Sequence, residues 1–369
     1  MLKNITILNL FYLYDYKLDF NPGNNLPSFI TGPNGYGKTT ILNILDSLYR
    51  ADYDYFRKLP FSTISCTFEN DDIDYHLHIV KIDGALDNAM SIDFLDITNH
   101  KYIARFEYPK ENGDALSLFF SGEKHYYIRD QRLTTTIELD KHILLNTVKT
   151  NAEDCKSYLK DLTQSIKNNL QVDKLEFTSG ISREEYESRK LQLQDKFKIL
   201  LGLKLISFDV QEYNEQNSMF LKATLDAYEK AYDENMDRIK RLEAFIDIIS
   251  QYEFANKEMQ ISINYGYRFV AKNDYRSLLN LKELSSGEQH ILIQIYELLF
   301  KAPSNSLVLV DEPELSEHLA WQALYLRTMK KIISLSKAQC IVATHSPQVF
   351  ESNWNIAFDL YEQSKHRLI

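Results

Sequence analysis

Residues 29–45 read FITGPNGYGKTTILNIL, and this stretch restricts the fold more than any other. A short strand, PSFIT at 27–31, runs into a glycine-rich loop. TTILNILDSLYR then continues as an amphipathic helix. Gly32-Pro33-Asn34-Gly35-Tyr36-Gly37-Lys38-Thr39 satisfies the spacing GxxxxGK[ST], in the strand–loop–helix context it requires. Glycines let backbone N–H groups converge on phosphates, and the helix N-terminus adds the positive end of its dipole. Asn34, Gly35, Gly37, Lys38, Thr39 and Thr40 are therefore candidate nucleotide ligands. Lys38 suits the β- and γ-phosphates, and the Thr39 hydroxyl suits Mg²⁺.

Apolar residues make up 44% of the 369, enough for one large core or two smaller ones. The net charge of −10 gives no bulk nucleic-acid footprint, so contact with DNA needs a local basic patch. Cys66, Cys155 and Cys340 lie far apart with no CxxC, which argues against a disulfide framework or a zinc site and fits a reducing cytosol. The N-terminus lacks a signal-peptide plan, and no run approaches the roughly 18 apolar residues of a membrane helix. A cytoplasmic protein without a membrane role is expected.

Along the chain, NITILNL (4–10) reads as a strand. Residues 61–107 alternate polar and apolar between acidic turns, as antiparallel strands do. HYYIRDQRL (125–133) reads as a strand entering a loop. From about 145 to 258 the spacing is helical, with Ser182 and Glu185 as a capping box and 216–254 as one long helix. No sustained heptad runs through this block, so it is expected to be a compact lobe or short arm. Strand texture returns at MQISINYGYRFVA (259–271). SLVLV (306–310) and QCIVA (339–343) are fully apolar, as in a buried parallel sheet.

Three further segments bear on the phosphate site. LVLVDE (307–312) is an apolar strand ending in two acids. Asp311 is placed to support Mg²⁺, and Glu312 to polarise an attacking water. Leu-Ser-Ser-Gly-Glu-Gln (284–289) opens a helix, so Ser285 and the Gly287 N–H could meet an anion there. The same residues are also good capping chemistry; the position about twenty residues before the acidic strand favours the anion reading. Ala343-Thr344-His345-Ser346-Pro347 directly follows the last buried strand.

Together these segments resemble the ABC-type ATPases of the AAA family, in the branch related to SMC and RecF-like proteins and OLD-family nucleases. The resemblance covers about 1–135 and 258–350. It rests on the loop at 32–39, the LSSGE form of the LSGGQ signature, and Asp311-Glu312-Pro313-Glu314-Leu315-Ser316-Glu317-His318. Ala320-Trp321-Gln322 and His345-Ser346-Pro347 complete it. It implies an α/β P-loop NTPase of ABC-ATPase type: a mixed sheet with flanking helices, an antiparallel β-subdomain and an inserted helical lobe. The implied parts are 1–140 and 259–369 for the head and 141–258 for the insertion. It also implies catalysis by Glu312, Lys38 and the γ-phosphate-contacting His345, with Mg²⁺ held by Thr39, Asp311 and the Q-loop residue Gln131. Gln211 rivals Gln131 for that last role. Ser285, Gly287 and Glu288 would contact the nucleotide of a second subunit. An aromatic from Phe11, Tyr12, Tyr14 and Phe20 would stack on adenine.

Many members of this branch, including ATPase subunits of Septu-type, PARIS-type and retron-associated systems, act in anti-phage defence beside a separate nuclease. The resemblance thus implies an ATP-sandwich homodimer, or a higher homo-oligomer, that regulates an effector in trans. No TOPRIM nuclease domain fits in residues 346–369, so the chain is expected to lack its own nuclease. The alternative is a RecF- or SMC-like ATPase acting directly on DNA; a transporter motor fits the LSSGE and DEPExxxH details poorly. Among weaker features, His76 with His78 lacks a third metal ligand, and Asp52, Asp54, Asp72 and Asp74 read as acidic turns. Arg238, Lys240 and Arg241 read as a solvated helix face, as do Arg327, Lys330 and Lys331.

Overall fold

In a computed structural model the described residues are 1–20, 25–82, 84, 88–110, 114–122, 124–129, 137–171, 175–177, 179–273, 275–315 and 318–365. They form two compact units. Met1–Thr136 and Glu297–Ile369 make the first, and Ile137–Tyr296 the second. Sequence texture puts the end of the insertion near 258; the second unit also takes in the signature segment.

In the first unit, β1 (Leu2–Leu10), β2 (Tyr14–Asp19), β4 (Thr63–Asn70), β5 (Ile73–Lys81), β6 (Met90–Asp96) and β7 (Lys101–Tyr108) form an antiparallel sheet in the order β2-β1-β4-β5-β6-β7. Alternation along these strands turns one face to the core, where Ile5, Ile7, Ile64, Cys66, Leu77, Ile79, Ile92 and Phe94 are sealed from solvent. A second sheet is parallel throughout. Its order is β13 (Ala357–Asp359), β3 (Ser28–Thr31), β12 (Gln339–Ala343), β11 (Leu307–Asp311), β8 (His125–Ile128). Every residue of β11 and β12 is buried, as their apolar sequences require.

The helix α1 (Lys38–Tyr49) buries Ile41, Leu42, Ile44, Leu45 and Leu48, and these join both sheets in one apolar cluster. A helix apolar around most of its circumference fits between layers rather than on a surface. The core therefore holds the phosphate loop from behind, by the helix that the loop starts. The short helix α2 (Tyr53–Lys58) is capped by Asp52, whose side chain accepts from the Tyr55 N–H. Asp74 pairs with Lys3 at 2.6 Å. These acids are structural, and His76 and His78 face Thr67 and Ser65 across the strand pair. Among the described residues no group of three or more His, Cys, Asp or Glu could hold a metal. The helix α3 (Asp114–Gly122) completes this half of the unit.

The second unit is built on α4 (Ile137–Asn169) and α7 (Ser218–Gln251), with α5 (Arg183–Lys196) and α6 (Lys198–Gly202) between them in sequence. Ser182 caps α5 as expected, accepting from the Glu185 N–H at 3.3 Å. The segment expected as strand at 259–271 is a hairpin, β9 (Lys257–Ser262) and β10 (Gly266–Ala271). Arg241 pairs with Asp237, and Arg238 lies over the Tyr158 ring, so most of that basic cluster is tied down in helix packing. α8 (Ser286–Tyr296) packs on α4 and α7. In the first unit α9 (Leu319–Ser336) precedes β12, and α10 (Leu360–Ser364) follows β13. Among the described residues no helix is long and apolar enough to cross a membrane.

Candidate functional site

The site lies at the carboxyl ends of β3, β12 and β11, where open parallel sheets place their ligands. β3 delivers the phosphate loop, β11 delivers Asp311 and Glu312, and β12 delivers Thr344 and His345. Gly32, Gly35 and Gly37 have φ of +140°, +85° and +87°. Gly37 caps α1 in the left-handed region. A Cβ on it would lie 3.2 Å from Leu10 Cδ2 and 3.5 Å from Phe11 Cε2. The glycine thus serves both conformation and close packing. Pro33, Asn34 and Gly35 form the exposed crest of the loop, and Thr40 lies in the first turn of α1. The Tyr16 hydroxyl donates to the Tyr36 carbonyl at 2.7 Å, pinning the loop from β2.

Lys38 is 5% exposed. Its ammonium donates to the carbonyls of Gly32 at 2.8 Å and Pro33 at 3.2 Å, and lies 3.1 Å from His345 Nδ1. An ammonium has no acceptor, so with Lys38 charged Nδ1 must accept. The ring proton then sits on Nε2, which is 3.0 Å from Glu312 Oε1 and donates to it. Lys38, His345 and Glu312 form one hydrogen-bonded chain. Burial lowers the Lys38 pKa from its ordinary value, against the charges of Glu312, Asp311 and Glu314. Beside this chain the Thr39 hydroxyl donates to Asp311 Oδ1 at 3.3 Å, and the Tyr127 hydroxyl approaches Asp311 Oδ2 at 3.5 Å. Glu312 has φ of +44°, a conformation that costs a non-glycine residue about 1–3 kcal/mol and is concentrated at functional sites.

A hydroxyl beside a carboxylate suits a hard divalent cation, and a glycine loop at a helix N-terminus with a buried ammonium suits phosphates. The residues present fit a magnesium-bound nucleotide. The structure brings together Gly35, Gly37, Lys38, Thr39, Asp311, Glu312 and His345. Gln131 lies outside the described residues. Its rival Gln211 lies in the second unit, where its carbonyl accepts from the Tyr186 hydroxyl. Of the four aromatics, Phe20 is buried against Phe358, Phe11 lies against Gly37, Tyr14 stacks on Tyr36, and Tyr12 is exposed.

The signature segment lies in the second unit. Ser285 Oγ accepts from the Glu288 N–H at 3.2 Å, and Glu288 Oε2 accepts from the Ser285 N–H at 2.7 Å, a reciprocal capping box. Glu288 is 3% exposed, and Lys257 Nζ lies 2.8 and 3.0 Å from its two oxygens. Its carboxylate is therefore held inside the protein. Ser285 and Ser286 are exposed at the start of α8, while Gly287 is buried.

Sequence reasoning gave no role to Tyr16, Tyr127, Glu314 or Gln322. The carboxylate of Glu314 accepts from the backbone N–H of His345 at 2.5 Å and of Ser346 at 3.2 Å. The acid two residues after Glu312 was the available signal, but no spacing shows what it would meet.

A Smc head domain from Pyrococcus furiosus, with an extended coiled coil and bound to the C-terminal domain of ScpA, is 13% identical with a TM-score of 0.42. That alignment covers 95% of this chain and 90% of that one. An SmcHead bound to the C-winged helix domain of ScpA is 14% identical, TM-score 0.42, over 94% and 90%. Protein ea59 of Escherichia phage lambda is 30% identical over 131 residues, 34% of this chain; the chain spans about a quarter (24%) of that protein's length. The family model described as "AAA domain, putative AbiEii toxin, Type IV TA system" matches residues 28–351, which include the phosphate loop, the acidic end of β11 and His345. The chain belongs to this AAA-domain family, its phosphate loop carried by the parallel sheet of an α/β fold.

Proposed function

We propose that the chain binds ATP and hydrolyses it to ADP and phosphate, and that this cycle governs a separately encoded effector, a nuclease, in defence against phage. The observation that carries the reading is the chain Lys38–His345–Glu312 at the strand ends, beside the Thr39–Asp311 pair. Thr39 and Asp311 would hold Mg²⁺, which would supply positive charge against the phosphate oxygens. Lys38 adds a second cation from the loop. Glu312 accepts the proton of the water that attacks the terminal phosphorus as the bond to the leaving ADP oxygen breaks. His345, which links the ammonium to the base before ATP binds, would turn its Nε2–H from Glu312 to the γ-phosphate. Ser285 and the N-terminus of α8 serve the nucleotide of a second copy, so ATP closes a homodimer head to tail. The family's description as a putative toxin of a type IV toxin–antitoxin system supports an effector-linked role.

Turnover and native mass spectrometry with Mg²⁺ and ATP test this reading. The Glu312→Gln variant should lose roughly 10²- to 10⁴-fold in turnover, the usual worth of a general base, and accumulate an ATP-bound dimer. Lys38→Ala should lose nucleotide binding. Wild-type turnover in Glu312→Gln removes the base assignment. A nuclease-like protein co-purifying from the native host supports the effector; DNA-stimulated turnover of a bare dimer points instead to direct action on DNA.

A further inference from the structure

Two segments of the site are fastened together by more than the proposed chemistry uses. Glu312 reaches the imidazole of His345. Two residues on, Glu314 Oε1 accepts from the backbone N–H groups of His345 and Ser346, at 2.5 and 3.2 Å. From the first turn of α9, Gln322 Oε1 accepts from the Ser346 hydroxyl at 2.7 Å. The Thr344 N–H donates to the Ile30 carbonyl of β3 at 3.0 Å. The turn 344–346 is thereby held between β3 and the segment that carries the base.

Glu314 is a costly way to hold a turn. Its Oε2 atom is buried and has no hydrogen-bond partner among the described residues. A buried carboxylate oxygen left unpartnered costs free energy that a neutral acceptor would avoid. The group does two things a neutral side chain could not combine: it accepts from two adjacent N–H groups with a charged oxygen, and it adds negative charge toward Lys38. The left-handed backbone of Glu312 and the buried Pro313 bring the two carboxylates to the same turn, one on the ring of His345 and one on its backbone.

We infer that Glu314 is a positioning residue for His345, fixing the turn so that Nδ1 meets Lys38 while Nε2 meets Glu312, with Gln322 as the second clasp. This inference rests on the ATPase reading. The loss of Glu314 would leave nucleotide binding at the phosphate loop intact and slow the step that needs His345 in place.

The test uses the full chain as wild type, Glu314→Ala, Glu314→Gln, His345→Ala and the Glu314→Ala/His345→Ala double variant. Amide hydrogen exchange is read at residues 344–346, and kcat and KM for ATP are read separately. In Glu314→Ala, exchange at His345 and Ser346 should rise about tenfold or more, as for loss of a hydrogen bond to a charged group, with the β12 amides unchanged. Its kcat should fall about tenfold with KM within about threefold, and Glu314→Gln, which keeps an acceptor oxygen but not the charge, should recover only part of the loss. In the His345→Ala background, Glu314→Ala should cost less than about twofold, because residues acting as one unit are not additive. Unchanged exchange in Glu314→Ala overturns the inference whether or not the chain turns over ATP. Equal kcat losses in the two backgrounds also overturn it. A wild type without turnover refutes the ATPase reading, and exchange then decides the clamp alone.

Discussion

The phosphate loop permits a matched pair of substitutions whose difference can be worked from the structure. Gly35 and Gly37 have nearly the same φ, +85° and +87°. Alanine at either must take a left-handed conformation, at about 1–2 kcal/mol. Each change also removes unfolded-state freedom, an offset of about 0.4–1 kcal/mol common to both. The surroundings differ. A Cβ at Gly35 meets nothing among the described residues within 4 Å, whereas at Gly37 it lies 3.2 Å from Leu10 Cδ2. Leu10 is fully buried in the main apolar cluster, so its methyl can give way only by moving its neighbours. Overpacking of this kind costs about 1–3 kcal/mol more. Gly35→Ala should therefore lose about 0–1.6 kcal/mol and Gly37→Ala about 1–4.6 kcal/mol, the second exceeding the first by about 1–3 kcal/mol. Urea denaturation of both variants without nucleotide measures the difference. Equal losses would show that conformation alone sets the glycine requirement, and the packing argument would fail.

Gly266 has φ of +70°, and a Cβ there would lie 1.9 Å from the Ala152 carbonyl oxygen of α4. Gly266→Ala should force the hairpin away from α4 and cost at least about 3 kcal/mol, read by calorimetry; a shift of less than about 1 kcal/mol refutes the contact. Lys257→Met would leave the buried Glu288 carboxylate without its cation and should cost about 3–5 kcal/mol. Adding Glu288→Gln should recover part of that loss, and no recovery in denaturation would mean the Lys257 stem, not the charge pair, stabilises the segment.

The parts of the site that were legible in the sequence are those written locally. The loop at 32–39, the acids at 311 and 312 and the histidine at 345 each lie at or just past the carboxyl end of a strand recognisable from its apolar run. Once those strands are parallel neighbours, their carboxyl ends converge without further information. What could not be read depends on approach through space. Glu314 meets residues 345 and 346 only because β11 and β12 pair in register, Asp311 opposite Ala343. Glu288 is internal because a lysine on β9 reaches it, and no helical or strand period links 257 to 288. The segment at 259–271 reads as strand texture without a marked turn because residues 263–265, where it turns, include Tyr265 between flanks of strand composition. Tyr16 meets Tyr36 because β2 runs beside the loop, a proximity set by the antiparallel sheet.

The strained economy of Lys38 gives a last prediction, in the pH dependence of ligand binding. Burial lowers its pKa, so the folded chain without ligand favours the neutral amine more than an exposed lysine does. Phosphate oxygens favour the charged form. Below the lowered pKa the ammonium is already charged, and binding needs no proton from this group. Between that value and the ordinary lysine range near 10.4, binding must recruit a proton, so affinity falls as pH rises through the window. The sign is opposite to the effect of titrating the phosphates, which are fully ionised there. For a non-hydrolysable ATP analogue with Mg²⁺, calorimetry in two buffers of different ionisation enthalpy should show proton uptake that grows with pH. The Lys38→Arg variant, whose guanidinium stays charged, should show none from this source even if its affinity is lower. Equal proton uptake in the two proteins would mean that Lys38 is not the group that meets the phosphates, and the hydrogen-bonded chain to His345 and Glu312 would then need another purpose.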